Sequence, residues 1–316
     1  MQKALVTGGA GFIGSHLVRE LVKQRVKVRI LDNVSSGNLG NLDGLGTKME
    51  FVEGDIRNAI ACRNACRGVD AVFHMAALVS VPQSVADPIM SDAINSGGTL
   101  NMLIAARDCG VKRFVFSSSS AVYGETETIP TSETCPTLPM SPYGIQKLMG
   151  EHYARNFTLL YGLETICLRY FNVYGPGQNP NSAYAAVIPK FLTRHFAGQT
   201  SLIFGDGEQT RDFCHVRDIV QANILAAKTS NSSAIGGVFN VGNGSRITVN
   251  DLLILLKDAL VESLKAEHQA ERAGDIRHSG ADIAKIQTVL DYAAKVSLPS
   301  GLKETADFYR NQSLSK

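Results

Sequence analysis

No apolar run in this chain reaches the roughly 18 residues needed to cross a bilayer, so no membrane-spanning helix is expected. A charge excess of one sign is also missing. Lys and Arg number 31 against 29 Asp and Glu, a formal net charge of +2. That excess is too small to point to nucleic acid or a membrane surface as a partner, and each basic residue must be judged by its own setting. Cysteine is present but shows no pairing pattern. The six residues, at positions 62, 66, 109, 135, 167 and 214, form no CxxC and have no histidine cluster beside them, so no metal site is indicated. Cys62 and Cys66 lie four apart on an expected helix and read as a reduced, partly buried pair. No charged leader or cleavage site precedes the first strand-like run, Lys3-Ala4-Leu5-Val6-Thr7. A signal peptide is therefore not expected, and a reducing cytoplasm fits the cysteine usage.

What is present fits an ordinary globular protein: 316 residues, 44% hydrophobic and 19% charged, enough for one large α/β domain or two intimately joined ones. Short β-rich runs at 3–7, 26–31, 50–53, 70–74, 112–117 and 164–169 alternate with helical patterns near 12–24, 58–66, 84–109 (broken at Pro88) and 142–161. Such alternation predicts a Rossmann-like parallel sheet with helices on both faces. After Arg169 the texture changes. Gly, Pro and Asn crowd 172–182, which reads as a loop leaving the sheet. Helices near 187–198, 218–229, 248–263 and 301–311 and a strand near 201–204 then suggest a smaller mixed α/β lobe. Gly237–Asn240 reads as a possible return strand. The expected division is 1–172, with a return near 213–242, for one lobe, and 173–212 with 243–316 for the other.

Gly8-Gly9-Ala10-Gly11-Phe12-Ile13-Gly14 falls where the first strand turns into the first helix. Gly8 permits the tight turn, Gly11 lets a diphosphate approach the backbone, and Gly14 lets helix pack on strand. Free N–H groups at the helix start attract the diphosphate. The second strand ends in Asp32, 18 residues past Gly14, where a carboxylate can accept both ribose hydroxyls. The same carboxylate repels a 2′-phosphate, and no Lys or Arg stands between Asp32 and Lys48, so NAD is expected rather than NADP. Asp55-Ile56, after the third strand, could frame the adenine.

Ser141-Pro142-Tyr143-Gly144-Ile145-Gln146-Lys147 starts a helix, with Ser141 as cap and Pro142 in the first position. Tyr143 and Lys147 then share one face at i and i+4. A phenol of intrinsic pKa about 10 is a poor base at neutral pH. A lysine ammonium and a positive nicotinamide ring beside it favour the phenolate, making Tyr143 usable as a general base. Ser117-Ser118-Ser119-Ser120 follows the strand Arg113–Phe116 at the carboxyl edge of the sheet, where open α/β sheets bind ligands.

These blocks, with LDNVSSG, GDIR, HMAA, LRYFNVYGPGQNP, RDFCHV and RAGDIRHSGAD in the same order, resemble the extended short-chain dehydrogenase/reductase family over nearly the whole chain. The resemblance is greatest to its UDP-hexose and UDP-N-acetylhexosamine 4-epimerases. It implies Ser119, Tyr143 and Lys147 as the catalytic set. It places cofactor contacts on Phe12, Ile13, Asp32, Asn33, Ser36, Gly37, Asp55, Ile56, Ala76, Ala77, Asn95, Ser117 and Phe171. Arg211 and Arg272 would grip the diphosphate, with Asn172 beside them and Asp275 on the uridine ribose. Ala186, Val187 and Phe204 would wall the uracil, and Ser80 and Ser279 would face the sugar. No metal is expected.

Three departures resemble members acting on N-acetylhexosamines: Val79-Ser80 in place of a Lys-containing turn, Tyr184-Ala185-Ala186 in place of an Asn-bearing segment, and Ser279 in place of a bulky Tyr. Plain UDP-glucose stays open, because a larger pocket need not exclude a smaller sugar. The reaction so implied inverts carbon 4 through a transient 4-keto sugar. A UDP-uronic acid epimerase or decarboxylase is an alternative. A 4,6-dehydratase is another, although Ser119-Ser120-Ala121 stands where that enzyme's acid pair is usual. A non-enzymatic NAD sensor is disfavoured because Tyr143 and Lys147 are both present. Members usually form homodimers through helices corresponding to 95–109 and 143–160.

Overall fold

The first apolar run becomes the middle of a seven-stranded sheet. In the computed structural model, which describes residues 1–180, 187–271 and 276–314, β1 (Lys3–Thr7) lies between β2 (Lys27–Asp32) and β4 (Ala71–His74). β3 (Met49–Glu53) flanks β2, while β5 (Arg113–Ser119) and β6 (Glu164–Tyr170) continue beyond β4. Every pairing is parallel. The other edge is β11 (Val238–Val241), paired in parallel with β6, so the chain does return to the sheet.

Parallel strands need crossovers, and these cover both faces. Side chains alternate accordingly. Ala4, Val6, Phe73 and Val115 pack under α1 (Phe12–Lys23) and α8 (Val216–Lys228). Leu5, Val72, Phe114 and Phe116 pack under α2 (Ala59–Cys66), α5 (Gly98–Asp108) and α6 (Pro142–Tyr161). Cys62 and Cys66 are free and buried in this second layer. The order reverses between β1 and β4, which opens a crevice at the carboxyl ends of the strands.

The expected helix over 84–109 is assembled from more pieces than its pattern suggests. Ser80 caps α3 (Val81–Ala86), and Asp87 caps α4 (Pro88–Asp92), so the break falls at Pro88. A π turn over Ala93–Gly97 then joins α4 to α5.

A third core is formed by α7 (Val187–Phe196), α9 (Val249–Leu260) and α11 (Leu298–Leu314), around Phe191, Leu192, Leu252, Leu256 and Leu302. It includes the parallel pair β8 (Ser201–Phe204) and β13 (Ala266–Gln269). Two ladders tie it to the sheet's edge: β7 (Val173–Tyr174) with β10 (Cys214–His215), and β9 (Thr210–Arg211) with β12 (Ile247–Thr248). The expected loop over 172–182 therefore contains a short strand. Two-residue strands, β13 and α10 (Ala284–Leu290) are too short to show a period in sequence.

Candidate active site

The glycine turn is built by close approach. Gly8 has φ +69°, and a Cβ there would lie 2.8 Å from the Ala76 nitrogen. A Cβ on Gly14 would strike the Gly8 carbonyl, so only glycine lets α1 start this near β1. Gly11 caps α1 without a side chain, and no cap side chain engages the helix's first N–H groups. Phe12 and Ile13 follow, half-buried. A diphosphate fits this cradle, which offers both a bare backbone for close approach and free N–H donors.

Asp32 is buried and accepts from Ala10 N at 2.9 Å and Val34 N at 2.8 Å, fixing its carboxylate beside the turn. Val34 takes φ +54°, a costly conformation for a β-branched residue, and the loop carrying exposed Asn33 and Ser36 then folds back. Gly37 passes close to Ala10, where a Cβ would lie 3.0 Å from its carbonyl carbon. Asn33 Nδ2 donates to Asp55 Oδ2 at 2.8 Å. The Arg57 hydrogen bonds hold the Asp55 carboxyl down at about 2. Ile56 is buried against Gly98.

Across the crevice, the Thr7 hydroxyl accepts from Met75 N and Ala76 N. Asn95 sits in the π turn and clamps the segment after Ala77: its Oδ1 accepts from Leu78 N, and its Nδ2 donates to Leu78 O. Nδ2 also donates to Gln146 Oε1 at 2.8 Å, linking this wall to α6.

α6 begins as its sequence predicts. Ser141 Oγ accepts from Gly144 N, Pro142 takes the first position, and Gly162 ends the helix at φ +70°. Its N-terminus lies against the turn after β5, where a Cβ on Gly144 would be 2.6 Å from the Ala121 carbonyl oxygen. Tyr143 and Lys147 are both buried. Burial pushes the Tyr143 phenol up to about 12, and Ser119 is the hydrogen-bonding side chain that opposes this. Lys147 Nζ donates to Ser117 O at 2.8 Å, with the Tyr143 ring centroid 5.8 Å away. Burial pushes its ammonium down to about 8, and Glu151 opposes that shift. Lysine at this spacing therefore does not by itself bring the tyrosine into the neutral range; desolvation outweighs it in the protein alone. The Ser117 hydroxyl bonds the Tyr170 phenol at 3.0 Å, so its carbonyl, rather than its side chain, serves Lys147.

Phe171 is buried in a small cluster with Val122, Tyr123 and Ala281. Asn172 Nδ2 donates to Asp212 O at 3.1 Å, and Arg211 Nη1 donates to the Thr210 and Arg277 carbonyls. Ser279 is half-buried and paired through its backbone to Thr210 and Asp212. Ser80 is buried, and its hydroxyl accepts from Gln83 N. Val187 opens α7 and Phe204 ends β8. A cavity of about 360 Å³ opens between those elements, lined by Pro180, Phe191, Leu202 and Phe204 among others. Ala186, Arg272 and Asp275 lie outside the described residues. Among the described residues no cluster of His, Cys, Asp or Glu could hold a metal ion.

Four buried groups escape the sequence reading. The Ser84 hydroxyl accepts from Tyr143 N, Asp212 accepts from the Asn243, Gly244 and Ala281 amides, and Glu151 pairs with Arg169. Of these, Glu151 alone left a trace, as an acid four residues past Lys147 on a buried helix face.

The model of the NAD dependent epimerase/dehydratase family matches residues 4–242. A UDP-glucose 4-epimerase from Mycolicibacterium smegmatis is 38% identical over 98% of this chain and 99% of its own. The structure of a UDP-N-acetylglucosamine 4-epimerase from Methanobrevibacter ruminantium, in complex with UDP-N-acetylmuramic acid, superposes with a TM-score of 0.94 at 41% identity, covering 98% of this chain and 99% of that one. A UDP-glucose 4-epimerase from Thermotoga maritima with UDP-glucose gives 0.92 at 40% identity, covering 98% and 99%. A dinucleotide cradle, an acid at the end of β2 and a Ser-Tyr-Lys set at the same sheet edge agree with these matches. The chain belongs to the NAD dependent epimerase/dehydratase family, an isomerase with NAD as its cofactor.

Proposed function

We propose that the protein is a 4-epimerase of UDP-hexoses that interconverts UDP-N-acetylglucosamine with UDP-N-acetylgalactosamine and also accepts UDP-glucose and UDP-galactose. One observation carries the reading. The Ser119 hydroxyl acts on the buried Tyr143 phenol, and no carboxylic acid occurs in Ser117–Ala121 to eliminate water. Such a site can move one proton on and off a sugar hydroxyl but lacks a second acid for dehydration.

In this reading Tyr143 takes the proton of the 4-hydroxyl, with Ser119 bridging. Lys147, held on the Ser117 carbonyl, contacts the nicotinamide ribose and favours the phenolate. Bound NAD supplies the reversible oxidation at carbon 4. Gly8, Gly11 and Gly14 receive its diphosphate, Asp32 the adenosine ribose, and Asn33, Ser36, Gly37, Asp55 and Ile56 surround the adenosine. Ala76, Ala77, Asn95 and Phe171 shape the nicotinamide side.

The 4-keto sugar must turn over while its nucleotide stays fixed. Residues 173–212 and 243–316, with Asn172 just before them, supply that anchor: Asn172, Arg211 and Arg272 at the diphosphate, Asp275 at the uridine ribose, Ala186, Val187 and Phe204 at the uracil. Ser80 and Ser279 leave room for the acetamido group. Exposed Ile145, Met149 and Leu160 on α6 and Ile104 on α5 support a homodimer through these helices. No helix among the described residues is long and apolar enough to cross a membrane; we place the enzyme in the cytoplasm. Incubation with UDP-N-acetylglucosamine, UDP-glucose and UDP-glucuronate, with chromatographic separation of epimers, tests the reading. Epimerisation of the uronate alone would replace it with the uronic acid activity.

A further inference from the structure

Tyr143, Lys147 and Glu151 recur every fourth residue along one face of α6, and they are 9%, 5% and 4% exposed. Three consecutive residues at the end of β5 meet them. Lys147 Nζ donates to the Ser117 carbonyl at 2.8 Å, Ser118 Oγ donates to Glu151 Oε1 at 2.5 Å, and Ser119 faces the Tyr143 phenol. The reactive strand end and the reactive helix are thus joined by hydrogen bonds at two successive residues, with Ser119 beside the phenol at the third. The middle contact is made by Glu151, whose carboxylate has two further partners: Arg169 Nε at 2.8 Å on Oε1 and Arg169 Nη2 at 2.6 Å on Oε2. Arg169 lies with its guanidinium carbon 4.6 Å from the Tyr123 ring centroid, and Tyr123 OH donates to Asn240 Oδ1 on the edge strand.

A pair this deeply buried is a poor device for stability alone, since apolar side chains of the same volume usually do as well. Its placement one helical turn beyond Lys147 has another consequence. The charged and titratable groups around Lys147 are few. His74 on β4 is held neutral by burial and by Lys147 itself, down to about 3. Tyr143 lies one turn before, and Arg169 and Cys167 on β6 stand beyond Glu151. Among these, Glu151 is the acid that acts to keep the Lys147 ammonium charged, against the burial that discharges it.

We propose that Glu151 is a positioning residue for the reaction: it locks the strand end bearing Ser119 onto the helix bearing Tyr143, and it supplies the counter-charge that Lys147 otherwise lacks. The inference rests on the Ser-Tyr-Lys reading above but is tested apart from it. The full-length protein is labelled at lysine with ¹³C and ¹⁵N, and the Lys147 resonance, identified by its loss in Lys147→Arg, is titrated by NMR. In Glu151→Gln the titration should move down by about one pH unit or more, the usual effect of losing a close opposite charge. The alkaline limb of kcat should move down with it, while KM for the UDP-sugar changes little.

Glu151→Gln leaves Arg169 buried without its partner, so the double variant Glu151→Gln/Arg169→Met provides a folded reference. It removes the unpaired charge and keeps an acceptor for Ser118. The downward shift should persist there. A folded double variant whose Lys147 titration and kcat profile coincide with the wild type would overturn the proposal and leave Glu151 as a structural partner of Arg169. If the wild type turns over no UDP-sugar, the functional reading fails, and the Lys147 titration still decides the role of Glu151.

Discussion

In the proposed reaction Tyr143 acts through one oxygen, held inside the protein and pushed up to about 12 by burial. Tyr143→Phe removes only that oxygen. The fold and NAD binding should survive while kcat falls by at least about 100-fold, the scale of general acid–base catalysis; a variant near wild-type kcat would reassign the base. Ser279 belongs to the same scale. If it lines the sugar pocket, Ser279→Tyr overfills the space at carbon 2, and overpacking costs about 1–3 kcal/mol. kcat/KM for UDP-N-acetylglucosamine should drop roughly 10-fold or more with UDP-glucose much less affected; equal losses would remove Ser279 from the specificity account. Tyr143, Lys147 and Asp32 were legible in sequence because turn chemistry and helical spacing place them within a few residues of a recognisable signal. Arg169 was not, nor were Tyr123 and Asn240, and Glu151 showed only its helical spacing from Lys147, not its partner. Their partners are 18 and 117 residues apart, and no local pattern encodes a contact made across the sheet.

Elements bring those residues within reach, and α6 shows how. It approaches β5 closely because Gly144 and Gly150 leave backbone and ring, Ala121 O and Phe116, where a side chain would otherwise stand. Gly144→Ala sets a methyl against the Ala121 carbonyl, so the helix start must retreat from Ser119. Expected are a loss of about 1–3 kcal/mol in urea denaturation and a fall in kcat, with NAD affinity nearly unchanged. A variant of unaltered kcat would mean the close approach has no bearing on the chemistry. The alternation of strands and helices was readable because each element is long enough to show its period. The Asp87–Pro88 break was readable from proline. The π turn holding Asn95 was not, since its five residues differ from the helix around them only in the hydrogen bonds they choose. The two-residue ladders of the C-terminal lobe leave no period either.

Two buried histidines shape the behaviour of the whole molecule. His74 and His215 are both pushed down to about 3, chiefly by burial. Unfolding returns them to about 6.5, so below that pH the unfolded chain binds more protons than the native one. Their contribution is complete above pH 6.5 and is lost on acidification toward 3, by up to about 1.4 kcal/mol per pH unit for each. Asp212, pushed up to about 6 by burial, works the other way. Its contribution is complete below about pH 4 and is lost as pH rises through 6. Asp55, held at about 2 chiefly by the Arg57 hydrogen bonds, and His16, pushed down by burial, act with these histidines, whereas Asp218, pushed up by burial, acts with Asp212. The groups lost on acidification prevail and leave the protein acid-labile. His74→Gln should flatten the fall in urea midpoint between pH 6.5 and 5 by about one proton's worth; an unchanged slope would mean that His74 titrates in the native state.

In the proposed reaction Ser119, Tyr143 and Lys147 move the hydroxyl proton, and NAD, when bound, would take and return the hydride of carbon 4 of a UDP-hexose, all within a single binding event. The direct test is incubation of the NAD-bound protein with UDP-N-acetylglucosamine deuterated at carbon 4, followed by NMR of the separated products. The proposed reaction predicts UDP-N-acetylgalactosamine with the deuterium retained at the inverted carbon. Product carrying hydrogen from water at that position, or no carbon-4 epimer from this sugar or from UDP-glucose, would contradict it.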